Sequence, residues 1–122
     1  MLPARIQKAP KRSTRWRSQA HCTFVRSHAC CNCGSMAAIE VAHVRIGSGA
    51  GMGQKPDDWR TVSLCGGLDG CHAEQHRIGE QTFWERYARE KGHSVFALID
   101  EFCKSSPKAA EIRAIRQERN AA

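Results

Sequence analysis

The chain has 122 residues, 41% of them apolar, with a formal charge of +7 and a pI near 9.3. That length supports one domain with one modest core, and no stretch approaches the roughly 18 apolar residues of a transmembrane helix. The charge predicts a polyanionic partner, nucleic acid first and an anionic membrane surface second.

Residues 1–20 carry six basic groups (Arg5, Lys8, Lys11, Arg12, Arg15, Arg17) and no acid, whereas the other 102 residues carry 13 basic and 12 acidic groups. The excess charge therefore belongs to an N-terminal arm, which its two prolines and lack of apolar periodicity predict to be disordered. Arg12, Arg15 and Arg17 are its candidate phosphate contacts, and Trp16 either packs on the domain or stacks on a base. The arm has no apolar run of the roughly 7–15 residues that a secretory leader needs. With seven cysteines in the chain, the expectation is a cytoplasmic protein that spends its thiols on zinc.

A domain is expected over residues 21–105. His21 to His28 reads as a short helix or strand leading into a turn at Cys30 to Gly34. The β-branched residues between Met36 and Ile46 read as a strand. The alternate glycines from Gly47 to Gly53 form a loop, and Thr61 to Leu64 is a second strand. After the loop Gly66 to Gly70, a helix begins near Cys71. Glu80 to Lys91 puts Phe83, Trp84, Tyr87 and Ala88 on one helical stripe stopped by Gly92. Ser94 caps the next helix, which breaks at Ser105-Ser106-Pro107. Residues 106–122 read as a charged helix with few apolar positions, a partner-binding or loosely docked tail.

Cys30 and Cys33 form a C-x2-C knuckle, and Cys65 and Cys71 follow as a wider pair separated by a glycine-rich loop. Two short-range pairs brought together by a hairpin supply the four ligands of a structural zinc, which stabilises a hairpin with few large apolar residues. Cys31 is an alternative to Cys30 with poorer spacing to Cys33. Cys22 and Cys103 have no partner at ligand spacing. His72 and His76, four apart on the predicted helix, share one face and can hold one metal; His43 can face the same ion if the hairpin folds back.

These residues resemble the HNH, or ββα-metal, nuclease fold, in which two strands and a helix surround a divalent metal. The resemblance rests on Cys30-x2-Cys33, Glu40-Val41-Ala42-His43-Val44, Thr61-Val62-Ser63-Leu64-Cys65 and Cys71-His72-Ala73-Glu74-Gln75-His76, and covers about residues 22 to 90. A narrower likeness, through Gly51 to Trp59, Leu64-Cys65, Cys71 to His76 and Gly79 to Trp84, is to a phage and prophage group that includes recombination-enhancing, RecA-dependent nucleases.

The resemblance implies an α+β fold with a small zinc-stabilised ββα-metal core followed by helices. It implies a metal-dependent endonuclease acting on DNA, with a recombinase filament as a further partner and no membrane. His43 would be the general base that takes a proton from the attacking water, and His72 and His76 the ligands of the catalytic metal. Two positions depart from the pattern. Ala42 stands where a metal ligand often precedes the base, and the Asn of the family name has no match. Asp58 is the candidate replacement, as ligand or as orienter of His43, and Asp57 the lesser one. The ligand set does not choose among Mg, Mn and Zn. Lys55, Arg45 and Arg77 are candidate DNA contacts. The alternative from another class is a catalytically weak, zinc-stabilised DNA-binding accessory module of recombination, and a third is a zinc-ribbon interaction protein.

Overall fold

Helix α1 (Gln19–Arg26) begins where Ser18 supplies a cap: its hydroxyl accepts from the His21 amide at 3.1 Å. The computed structural model, which describes residues 1–6, 15–49 and 55–121, continues into a hairpin of β1 (Ile39–His43) and β2 (Thr61–Cys65). The strands pair antiparallel with Ile39 opposite Cys65 and His43 opposite Thr61. Gly66 N–H to the Ala38 carbonyl, at 2.7 Å, extends the ladder at one end, and Val44 N–H to the Arg60 carbonyl, at 2.8 Å, extends it at the other. Alternation puts Ile39, Val41 and His43 on one face and Glu40 and Ala42 on the other.

Four helices follow: α2 (Cys71–Ile78), α3 (Glu80–Lys91), α4 (Val95–Ser105) and α5 (Ala109–Ala121). The fold is α+β, with a two-stranded sheet and five helices among the described residues. Helix α3 ends at Gly92, whose left-handed φ of 80° closes it, and Ser94 caps α4 through the Ala97 amide. Helix α1 packs on both strands and α2 and α4 pack on β2. The core they share holds Val62, Leu64, Phe83, Tyr87, Val95 and Ile99. No helix among the described residues is long and apolar enough to cross a membrane.

Two segments expected to be loose are packed. Residues 15–18, assigned from sequence to a disordered arm, form an extended strap. Trp16 is 8% exposed; its amide donates to Asp57 Oδ1 at 2.6 Å and its indole N–H to Glu111 on α5 at 2.9 Å. Helix α5, expected to be a tail, buries Ile112, and Arg119 grips the buried Asp57 with two bonds of 3.0 Å. Arg116 lies 4.5 Å from the Trp59 ring centroid and pairs with Asp100. Asp57 thus joins the strap to the last helix. Arg119→Met leaves that carboxylate buried with its main cation gone, and is expected to lower unfolding stability by about 2–3 kcal/mol, measured by urea denaturation.

His21 is fully buried, with Nδ1 2.7 Å from the Ser106 hydroxyl and, among the described residues, no partner for Nε2. Burial lowers its pKa below the ordinary 6.5, against a smaller upward pull from Asp58. Protonation therefore favours the unfolded chain. This contribution is fully present above about pH 6.5 and is lost as pH falls below it. The urea midpoint is expected to drop between pH 7 and pH 5, and His21→Gln to flatten that slope.

Candidate functional site

The knuckle is built by backbone geometry. Cys30 N–H donates to the Ser35 carbonyl at 2.8 Å, Gly34 N–H donates to the Cys30 carbonyl at 2.9 Å, and Gly34 takes a φ of 81°. Cys31 N–H donates to the Ser63 carbonyl at 2.9 Å, tying the knuckle to β2. The second pair depends on Gly70, where an added Cβ would collide with the backbone carbonyls of Gly66 and Cys65. The four sulfurs of Cys30, Cys33, Cys65 and Cys71 lie within 4.8 Å of one another. Cys31 stands outside the cluster, as do Cys22 and the buried Cys103.

The donor set fits a tetrahedral soft metal such as zinc. The Cys33 and Cys65 sulfurs are 3.7 Å apart, against a tetrahedron edge of about 3.8 Å for Zn–S bonds of about 2.3 Å. Asn32 Nδ2–H and the Cys71 amide donate to Cys71 Sγ and Cys65 Sγ, each at 3.3 Å. Burial pushes the Cys30 thiol up, but hydrogen bonds from the backbone of Cys33, Cys65 and Asn32 outweigh it and bring the group down to about 7. Burial pushes Cys71 up, and the neighbouring thiols of Cys65, Cys33 and Cys30 push it further. Four sulfurs this close need a cation before all can ionise.

His43, the last residue of β1, meets Asp58: His43 Nε2 lies 2.9 Å from Asp58 Oδ1. The same carboxylate accepts from the Ser18 amide at 2.8 Å and from Arg17 at 3.1 Å. Burial raises the Asp58 carboxyl, but His43, the Ser18 amide and Arg17 together hold it below its ordinary value. An ionised Asp58 accepts from Nε2–H, which leaves the Nδ1 lone pair of His43 available as a base. Asp58 therefore holds the His43 ring through this hydrogen bond. Asp57 belongs to the clamp on α5.

His72 and His76 face each other on α2 with their Nε2 atoms 3.2 Å apart. Two imidazoles bound to one ion through bonds of about 2.1 Å would have their nitrogens about 3.0–3.4 Å apart, so the separation suits a shared ion as well as the hydrogen bond that joins the two rings. Glu40 Oε1 lies 3.1 Å from His72 Nδ1, on the side of the ring away from His76. Sequence reasoning missed Glu40. Its signal is its position on β1, on the same face as Ala42. No hydrogen bond among the described residues joins the His43–Asp58 pair to the His72–His76 pair, and alternation along β1 turns His43 away from the face of Glu40.

Of the candidate DNA contacts, Arg12 lies outside the described residues, as do residues 50–54, part of the segment expected to be a glycine loop. Arg17 is half exposed, but its guanidinium is engaged by Asp58 and by the Pro56 and Lys55 carbonyls. The Arg45 amide donates to Glu80, which anchors the chain after β1 to α3. Arg45, Lys55 and Arg77 are exposed and Arg15 is half-buried.

Neither a curated protein nor a solved structure matches the chain. One family model does, over residues 2–105, which span the strap, the hairpin, the cysteine cluster, both histidine pairs and helices α1 to α4. The chain belongs to the family described as "Protein of unknown function (DUF968)".

Proposed function

We propose that the chain is a metal-dependent endonuclease of the HNH kind, hydrolysing DNA phosphodiester bonds in a phage or prophage recombination setting. The observation that carries the reading is the His72–His76 pair, two imidazole nitrogens 3.2 Å apart on one helix face. A divalent ion there would supply positive charge for the scissile phosphate. His72 and His76 would hold it. His43 Nδ1 would take the proton of the attacking water, with Asp58 holding the ring and stabilising the imidazolium. The cysteine cluster would hold a structural zinc that keeps the hairpin and the N-terminus of α2 in register. Arg77, next after His76 and exposed, would contact a phosphate, and the basic residues 1–20 would add sequence-independent affinity.

Ala42, the turn of His43 away from the face of Glu40, and the lack of a hydrogen bond, among the described residues, between the His43–Asp58 and His72–His76 pairs favour a second reading, a DNA-binding accessory module of recombination. Incubation of the full chain with supercoiled plasmid separates the two. The nuclease reading expects nicking with Mg2+ or Mn2+ that EDTA stops. Retention of plasmid without cleavage, with or without a recombinase filament, would favour the accessory module.

A further inference from the structure

Glu40 is an exposed strand residue, with 54% of its side chain accessible, yet it does not extend into water. Its carboxylate turns back to His72 Nδ1 at 3.1 Å. The room for this comes from Gly66, just past the end of β2. A Cβ at Gly66 would stand 2.6 Å from both Cδ and Oε1 of Glu40 and 2.9 Å from its Cγ. Gly66 is not among the glycines with positive φ, so its backbone does not demand glycine. What a side chain there would displace is Glu40.

We infer that Glu40, seated across Gly66, is the positioning residue of the histidine pair. It accepts from His72 Nδ1–H, fixes that tautomer, and so directs the Nε2 lone pair of His72 toward His76. A carboxylate behind a metal-ligating imidazole fixes ring orientation and raises ligand basicity. The metal half of this inference rests on the reading proposed above; the tautomer half does not. Glu40 acts through His72 and touches no reacting atom.

The test uses the zinc-loaded full chain and two readouts. The first is the nitrogen-15 spectrum of the His72 ring without added divalent metal. Wild type is expected to show the Nδ1–H tautomer, and Glu40→Ala to lose that preference. The second is Mn2+ affinity, followed by the resonance of free Mn2+. Glu40→Ala is expected to weaken binding about 10–100-fold, with Glu40→Gln retaining more because its amide oxygen still accepts. Gly66→Ala, whose Cβ displaces only the flexible end of Glu40, is expected to match Glu40→Ala at unchanged zinc content. An Nε2–H tautomer in wild type, or Mn2+ affinity unchanged in Glu40→Ala, overturns the inference. Absence of Mn2+ binding by wild type with the Nδ1–H tautomer present overturns the metal reading and the metal half of this inference, and leaves the tautomer role standing.

Discussion

Without a metal in the four-cysteine cluster, the hairpin is expected to unfold. The sheet has only two strands, and a two-stranded hairpin depends on what is packed against it and tied to its ends. The cluster joins the knuckle after α1 to the end of β2, 32 residues on from Cys33, and to the first residue of α2. A structural zinc contributes on the order of 10–16 kcal/mol in small metal-folded peptides, comparable with the whole stability of a domain, about 5–15 kcal/mol. Cys71→Ser removes a buried ligand and leaves three crowded thiols. Loss of bound zinc and of the cooperative thermal transition is expected together, while Cys22→Ser, outside the cluster, keeps both. Circular dichroism against temperature, with zinc measured on the same samples, checks this.

The second large effect is at Asp58. Its carboxylate accepts from His43, the Ser18 amide and Arg17. Asp58→Asn keeps the shape but turns one acceptor oxygen into a donor, so either the His43 tautomer or the Ser18 bond is lost. On the nuclease reading, nicking falls by about 10²-fold or more, with plasmid binding within a few-fold of wild type. The depressed pKa of Asp58 fixes the sign of its pH effect. Its contribution to stability is present above its ordinary value of 3.8 and is lost as pH falls through the depressed folded value. The wild type therefore shows an acid-unfolding limb below about pH 4, which Asp58→Asn weakens.

Local features of the chain were legible because local rules set them. The helix over Glu80–Lys91, its stop at Gly92 and the cap at Ser94 follow from periodicity and capping alone. The pairing of Cys30 and Cys33 with Cys65 and Cys71 was legible from spacing. What was not legible depends on contacts between distant parts of the chain. Trp16 reaches Glu111 across 95 positions, and Arg119 reaches Asp57 across 62. Composition sees only charge in these segments, so a strap read as an arm and a docked helix read as a tail. His21 gave no sign of burial, because its partner Ser106 lies 85 residues away. Asp58 was visible as a carboxylate near the site, but its contact with His43, at 2.9 Å, depends on the turn before β2. Glu40 was hidden by its own exposure, which reads as a solvated strand residue.

The rate of plasmid nicking by His43→Ala, relative to wild type at equal DNA occupancy with Mn2+ present, decides whether His43 is the general base of a nuclease. That rate is expected to fall about 10²–10⁴-fold, with zinc content, thermal transition and DNA binding unchanged. Nicking by His43→Ala at the wild-type rate, or its absence in both proteins with every metal tried, would contradict it.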